Sequence, residues 1–180
     1  MADEARNLNV KVLPYDSEAP EIFEEIKQFI YNVVPFQIEV EHVGSTAVVG
    51  LGGSGIIDLL VITKEQHQLP EIAEILRNKG FTHNPEPKHA EDRFFVSGPY
   101  KYNERELHIH IHVTYEGSRE HRDKLLFRDH LRRDPEEAKT YFEFKKRWSG
   151  KAGSDGAGYA ELKTPYIHKV LEKAKRDTGD

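Results

Sequence analysis

The stretch from Glu39 to Ile62 constrains the fold of this chain more than any other. It reads EVEHVGSTAVVGLGGSGIIDLLVI, in which two apolar runs flank a segment rich in glycine and serine. Such a pattern predicts a strand, a loop and a second strand. Asp58 stands inside the second apolar run, where an unpaired carboxylate would cost several kcal/mol. We therefore expect Asp58 to belong to a functional site.

The loop also contains the string G-x-G-x-x-G, from Gly50 to Gly55. This string binds dinucleotides when it follows a strand and opens a helix, because the helix N-terminus then holds the pyrophosphate. Here the glycines lead directly into the β-rich segment IIDLLVI. We therefore do not expect a Rossmann-type dinucleotide site.

Gly44 and Ser45 precede the strand aspartate Asp58 with a spacing that resembles the nucleotidyltransferase superfamily. In that superfamily the Gly-Ser loop holds a nucleotide phosphate, and strand carboxylates hold Mg²⁺. The blocks EHVGSTAVVGL with IIDLLV, FRDHLRRDPEEAKTYFEFK and YAELKTPYI together resemble the GrpB family of the superfamily, from about Val10 to Leu171. The resemblance implies an α+β fold with a mixed β-sheet flanked by helices and a C-terminal helical segment.

Length and composition limit the other possibilities. A chain of 180 residues with 37% hydrophobic residues predicts one domain over residues 1–180. We divide it into an α/β core at 8–115 and a helical C-terminal part at 116–176. The net charge of −5 disfavours binding to bulk nucleic acid. The absence of cysteine and of any long apolar run favours a cytoplasmic protein without membrane contact.

Periodicity and turn residues predict the order of the elements. We expect strands at residues 9–13, 37–43, 92–97 and 104–115, and a strand around Asp58 that ends at Thr63. We expect helices that begin near Pro20, after Thr63, after the cap Ser118 and at Asp134, and a last helix after residue 158. A polar loop at 81–88, a turn at Gly98 and Pro99, and a flexible break at 149–158 complete the prediction.

The segment ELHIHIHVTY is unusual because its alternation places one glutamate and three histidines on a single strand face. These residues are Glu106, His108, His110 and His112. Three histidines in register beside a glutamate indicate a functional role for at least one of them. The string His110 to Val113 resembles a GrpB strand beside the aspartate strand, where a nucleotidyltransferase places its third carboxylate. The resemblance implies that imidazoles share or replace that carboxylate.

Asp58 is thus a candidate catalytic residue and, with His108, His110 and His112, a candidate ligand of a divalent metal such as Mg²⁺, Mn²⁺ or Zn²⁺. A carboxylate with imidazoles suits Zn²⁺, Mn²⁺ or Fe²⁺ better than Mg²⁺. In one alternative the histidines pair with Glu106 and phosphate, without a metal. In another, a cupin-type site uses two of the histidines and Glu116, but helical periodicity over about half of the chain argues against a cupin barrel.

The remaining candidate residues surround this centre. Gly44, Ser45 and Thr46 are expected to form the phosphate loop, because glycine allows close approach and the serine hydroxyl and backbone amides are donors. The alternative is an ordinary turn. Arg128 and Lys163 match basic positions of the family blocks and would contact phosphate or, instead, pair with Asp129 or Glu161. Glu41 and His42, at the end of the strand that enters the loop, are expected to support the site.

Two departures from the family pattern bear on catalysis. Leu60 stands where polymerase-like relatives carry a second carboxylate, and two-metal chemistry needs at least two bridging carboxylates. The usual V-P-G-L and A-K-P strings become Val48–Leu51 and Gly53–Gly55, which removes a lysine from the loop. The leading hypothesis is a nucleotidyltransferase-like protein that binds a nucleotide or phosphorylated small molecule and transfers a nucleotidyl group with a metal. The alternative is a non-catalytic ligand-binding or regulatory module that keeps the fold; no oligomeric state is predicted.

Overall fold

The structure is a computed structural model that describes residues 11–84, 92–152 and 156–179. Five strands form one sheet: β1 (Ile38–Val43), β2 (Ile57–Thr63), β3 (Thr82–Asn84), β4 (Arg93–Tyr102) and β5 (Arg105–Tyr115). The helices are α1 (Ala19–Val33), α2 (Leu69–Asn78), α3 (Arg119–Arg133), α4 (Pro135–Ala152) and α5 (Gly156–Thr178). None of these helices contains a stretch that is both long and apolar enough to cross a lipid bilayer.

The sheet is mixed, with the strand order β1-β2-β5-β4-β3. Strands β2 and β5 run parallel, and the other neighbours are antiparallel. The predicted α+β fold is therefore confirmed. The register places Asp58 beside Val43 on one side and beside His110 on the other. Asp58 and the histidine strand are direct neighbours in the sheet.

The two faces of the sheet are covered by different helices. Ile57, Leu59 and Val61 of β2 share one face with the buried aliphatic residues of β5, and α1 and α2 supply the rest of this core. Each large aliphatic side chain buried in this way stabilises the fold by roughly 1.5–3 kcal/mol. Asp58 and Leu60 alternate onto the opposite face, where Leu60 packs with Val43, Ile62 and Leu125 of α3. Helices α3 to α5 therefore share the side of the sheet that carries Asp58.

The hairpin between β4 and β5 differs from the prediction. Strand β4 continues through Gly98 and Pro99, and the turn occurs instead near Asn103, which has a positive φ of 52°. Gly98 serves packing, because a Cβ atom there would lie 3.0 Å from the ring of Phe81. The predicted loop at 81–88 was wrong in part, since Thr82–Asn84 pairs with β4 as an edge strand. The rest of that loop lies outside the described residues.

The helix starts were predicted more accurately than the breaks. Ser118 Oγ accepts a hydrogen bond from the His121 amide, and Asp134 Oδ1 accepts one from the Glu137 amide, so both predicted caps are confirmed. The predicted break at 149–158 was wrong in part, because α4 extends to Ala152 and α5 begins at Gly156. Residues 153–155 lie outside the description. Residues 9 and 10 of the strand predicted at 9–13 lie outside the described residues, and residues 11–13 show a single bridge, between Leu13 and Gly53.

Candidate functional site

A cleft with a volume of about 580 Å³ lies between the sheet and the C-terminal helices. Its sheet side is formed by the loop after β1 and by the start of β2. Helix α3, which packs on the sheet through Leu125, completes this side, and the other side, the helix side, is formed by α4 and α5. The residues that line the cleft include Gly44, Ser45, Gly53, Asp58, Arg93, Glu120, Lys124, Tyr141, Lys145, Tyr159 and Lys163.

The glycines of the loop allow close contacts that a side chain would prevent. Gly44 has φ 73° and ψ −171°, a conformation that is essentially restricted to glycine. A Cβ atom at Gly44 would lie 2.4 Å from Asp58 Oδ2. A Cβ atom at Gly53 would lie 2.2 Å from Ser45 Oγ and 3.3 Å from Lys145 Nζ. Gly44 is therefore in close contact with Asp58, and Gly53 is in close contact with Ser45 and Lys145.

Asp58 contacts two of the three histidines. Its Oδ1 atom lies 3.4 Å from His110 Nδ1 and 3.7 Å from His112 Nε2. Burial opposes the charge on Asp58, but the contacts with the two imidazoles outweigh burial and hold the pKa of the carboxyl far below its usual value. Burial, together with the charge of Lys124, lowers the pKa of His112 to about 4. At neutral pH the ionised Asp58 therefore faces a neutral His112.

The donor chemistry of Asp58, His110 and His112 fits a borderline divalent metal. Their ligand atoms are too far apart for a single ion, because they do not all lie within 4.8 Å of one another. Among the described residues, the only group of three that meets this distance is His130, Asp134 and Glu137. Two nitrogens on one zinc ion lie at most about 4.2 Å apart. Coordination by Asp58 and both histidines would therefore require one imidazole to rotate.

The cluster of His130, Asp134 and Glu137 is occupied by a positive side chain. Lys173 Nζ lies 3.2 Å from Asp134 Oδ2 and 2.9 Å from Glu137 Oε2. The hydrogen bonds from Lys173 and from the Tyr166 hydroxyl lower the pKa of Glu137, although burial opposes this. The two carboxylates thus have a cation and a hydroxyl as partners, and we assign no metal to them.

Glu120 is a site residue that the sequence prediction missed. It is buried in the first turn of α3, and its Oε2 atom accepts a hydrogen bond of 2.8 Å from Arg93. Its Oε1 atom lies 3.3 Å from Lys124 Nζ and 3.6 Å from His112 Nδ1. Burial opposes ionisation, but the charge of Lys124 and the charge and hydrogen bond of Arg93 lower the pKa of Glu120. A glutamate in the first turn of a helix is common at the surface, so its position in the sequence does not indicate this burial.

Two lysines face the cleft from the helices. Lys145 of α4 is 2% exposed, donates a hydrogen bond to the Gly52 carbonyl and lies 4.6 Å from the centre of the Tyr141 ring. Burial and the neighbouring charge of Lys163 lower the pKa of Lys145 to about 7. Among the described residues, no carboxylate lies within ion-pair distance of Lys145 or Lys163. Lys145 was missed as a site residue, although a lysine within the apolar stripe of α4 was a usable signal.

The predicted supporting residues hold the loop and the strand end. His42 Nε2 lies 2.9 Å from Thr46 Oγ1, and the His42 ring stacks on Phe23. Burial lowers the pKa of His42 to about 4. Thr46 therefore contacts His42 and does not line the cleft. His42 thus connects the loop, through Thr46, to Phe23 of α1. The role of these residues in binding stays a prediction.

Three predicted residues lie away from the centre. Arg128 pairs with Glu41 and with Asp129 and also donates to the His42 carbonyl, so it does not line the cleft. This is the ion-pair alternative for Arg128, and we leave it out of the proposed phosphate contacts. Glu106 is exposed on β5, and His108 contacts the His110 ring at 5.4 Å between centroids. Neither Glu106 nor His108 lines the cleft, and His110 and His112 are connected to it only through their contacts with Asp58.

The sequence matches the family described as GrpB protein over residues 9–173. A UPF0157 protein of Pseudomonas aeruginosa is 30% identical over 168 residues, which are 92% of this chain and 67% of that protein. The UPF0157 protein YqkA of Bacillus subtilis is 30% identical over 168 residues, which are 93% of this chain and 48% of that protein. The chain thus spans about half the length of the second relative.

Solved structures share the fold. The conserved protein GrpB from Enterococcus faecalis has a TM-score of 0.79 and 26% identity, and the match covers 94% of this chain and 100% of that one. A chain of the GLD-2/RNP-8 complex has a TM-score of 0.56, with 14% identity, and covers 87% of this chain and 60% of its own. The Cid1 poly(U) polymerase, solved with MgGTP, has a TM-score of 0.53 and 15% identity, and the match covers 77% of this chain and 44% of the polymerase chain. At these identities the last two matches show a nucleotidyltransferase-like fold alone.

Proposed function

The chain belongs to the GrpB protein family, and from this premise we propose that its cleft binds a nucleoside triphosphate or another phosphorylated small molecule. We further propose that it transfers a nucleotidyl group with the help of a divalent metal. The observation that carries the proposal is that the Gly-Ser loop, Asp58 and two lysines meet in one cleft, and that neither lysine has a carboxylate partner in the part of the chain that the structure describes.

The phosphate end of the ligand is assigned to Ser45, Lys145 and Lys163. Ser45 Oγ and Lys145 Nζ both lie close to the position that a Cβ atom of Gly53 would take. Burial lowers the pKa of Lys145, and repulsion between the two lysines lowers it further. A phosphate between them would relieve this repulsion and would accept charge-assisted hydrogen bonds from both. The cleft volume of about 580 Å³ is also in the range of small-molecule sites.

The metal is assigned to Asp58 with His110 or His112. A bound divalent ion would supply Lewis acidity and charge neutralisation at a phosphate. Within the chain, Asp58 holds an ionised oxygen towards the cleft, and the neutral His112 keeps one nitrogen free of a proton. The contact of Gly44 with Asp58 keeps the carboxylate next to the phosphate loop.

The test is calorimetric titration of the protein with inorganic triphosphate and with the four nucleoside triphosphates, each with Mg²⁺, Mn²⁺ or Zn²⁺. We expect binding that weakens at least tenfold in Lys163→Met, while Lys169→Met is unchanged, because Lys169 is exposed on the same helix and does not line the cleft. Release of pyrophosphate from the bound nucleotide, lost in Asp58→Asn, would establish transfer. Equal affinities for both lysine variants and the native protein would contradict the phosphate site.

A non-catalytic binding module is the second candidate, and Leu60 favours it. Leu60 is fully buried against Leu125 of α3, so no carboxylate stands at that position to bridge a second metal. A module of this kind would bind the same nucleotides, would release no pyrophosphate and would keep its affinity for inorganic triphosphate in Asp58→Asn. The two candidates therefore predict opposite results for pyrophosphate release. Both predict that Lys163→Met weakens binding of the phosphorylated ligand.

A further inference from the structure

We infer that Glu120 is a positioning residue that holds His112 in the tautomer with its proton on Nδ1, which leaves the Nε2 atom of that ring, on the side of Asp58, without a proton and able to bind a metal. The inference deepens the proposed function, because it concerns an imidazole assigned to the same site. It begins from the position of the His112 ring, which stands between two carboxylates.

The distances on the two sides of the ring are almost equal. His112 Nδ1 lies 3.6 Å from Glu120 Oε1, and His112 Nε2 lies 3.7 Å from Asp58 Oδ1. Both carboxylates are ionised and can only accept hydrogen bonds, while a neutral imidazole carries a single N–H donor. The ring can therefore donate to one carboxylate at a time. Which of them receives the proton depends on what other donors each carboxylate has.

The needs of the two carboxylates differ. Glu120 Oε1 is buried and has no hydrogen-bond partner among the described residues, although Lys124 lies within ion-pair distance. Asp58 also faces His110 and the open cleft. Leaving a buried charged acceptor without a donor costs more than leaving an accessible one. The proton of His112 is therefore better placed on Nδ1, where a small rotation of the ring completes the bond to Glu120.

The surroundings of Glu120 keep its carboxylate in place. Arg93 binds the Oε2 atom, and the Glu120 backbone amide donates to Asp92 Oδ2 at 3.2 Å. The His112 ring also stacks on Phe95, with centroids 4.9 Å apart, which limits its rotation. Because the ring lies between Glu120 and Asp58, the two carboxylates cannot share one ion. Glu120 thus acts through His112, as a carboxylate behind a metal-ligating histidine commonly does.

The test is a long-range ¹H–¹⁵N correlation spectrum of the imidazole nitrogens in ¹⁵N-labelled protein at pH 7.5, without metal. We expect a protonated Nδ1 and an unprotonated Nε2 for His112 in the native protein. In Glu120→Met, which is similar in length but has no acceptor, we expect the proton to move towards Nε2. The matched control is Glu116→Met, because Glu116 is exposed on the preceding turn and should leave the spectrum unchanged.

A proton on Nε2 in the native protein, a doubly protonated ring, or a Glu120→Met spectrum equal to the native one would each overturn the inference. The native spectrum decides the point even when Glu120→Met does not fold. A second titration with Zn²⁺ or Mn²⁺ should show a 10–100-fold loss of affinity in Glu120→Met and none in Glu116→Met. Failure of the native protein to bind either metal would remove the metal from the proposed function, while the tautomer would still report on Glu120.

Discussion

The two sides of the cleft hold their charges in different ways. On the sheet side, the ionised groups are matched: Asp58 faces two imidazoles, and Glu120 has Arg93 and Lys124. On the helix side, Lys145 has a carbonyl partner and an aromatic face but no carboxylate among the described residues. The sheet side is therefore pre-organised in the free protein, whereas the helix side gains its counter-charge from a ligand. Substitutions can test each half of this contrast separately.

The largest expected effect is on the sheet side, at Gly44. Gly44→Ala would force an unfavourable backbone conformation and a contact at 2.4 Å with Asp58 Oδ2. We expect the free energy of unfolding to fall by roughly 3–4 kcal/mol, measured by urea denaturation. Gly50→Ala is the matched control, because Gly50 has φ 82° but nothing within 4 Å of a new Cβ atom. Equal losses of unfolding free energy in the two variants would show that the contact with Asp58 does not contribute to the effect of Gly44→Ala.

The next effect concerns Asp58 itself. Asp58→Asn keeps the shape of the side chain and removes its charge, so we expect metal-dependent nucleotide affinity to fall roughly 100-fold while the fold is retained. Calorimetry with Mn²⁺ and a nucleoside triphosphate measures the change. Asp123→Asn is the control, because Asp123 also lines the cleft but pairs with Arg119 and Lys175. A loss of the same size in both variants would mean that only the total charge of the cleft matters.

The stability of the protein should depend on pH through His42, which holds the loop on the sheet side. Because burial lowers the pKa of His42 to about 4 from 6.5, the unfolded chain binds the proton more readily. This contribution to stability is complete above pH 6.5 and is lost as the pH falls towards 4. We expect His42 to contribute roughly 2 kcal/mol to the loss of stability at pH 5 relative to pH 7.5, measured by urea denaturation. The difference should shrink in His42→Gln and persist in His67→Gln, since His67 is exposed; an unchanged difference in His42→Gln would contradict it.

The smallest effect is expected on the helix side. Lys145→Met removes the buried ammonium, and we expect affinity for inorganic triphosphate to fall about tenfold, with no change in Lys146→Met at an exposed position of the same helix. Because the pKa of Lys145 is about 7, native affinity should weaken as the pH rises from 6 to 8.5. That pH dependence should be reduced in Lys145→Met. A steep dependence that survives the substitution would assign it to another group.

Much of the fold could be predicted because it follows from short-range patterns. The apolar run of β2, the alternation of β5 and the caps at Ser118 and Asp134 follow from neighbouring residues, and each was confirmed. The errors lie where distant contacts prevail over local preference. Gly98 and Pro99 are typical turn residues, but Phe81 packs against Gly98 and the strand continues through both. Likewise, the glycine-containing residues after Trp148 remain helical as far as Ala152.

The site divides in the same way. Asp58 and the Gly-Ser loop could be singled out from the chain itself, because a carboxylate in an apolar strand and glycines at a strand end are local anomalies with a physical cost. Glu120 carries no such mark, and Lys145 carries only its place in the apolar stripe of α4, since a glutamate or lysine on a helix is usually solvated. They became site residues only because α3 and α4 pack over the sheet face of Asp58, which removes both side chains from water. Burial of a charge depends on which segments meet in space, and that is a property of the folded chain and not of any stretch of its sequence.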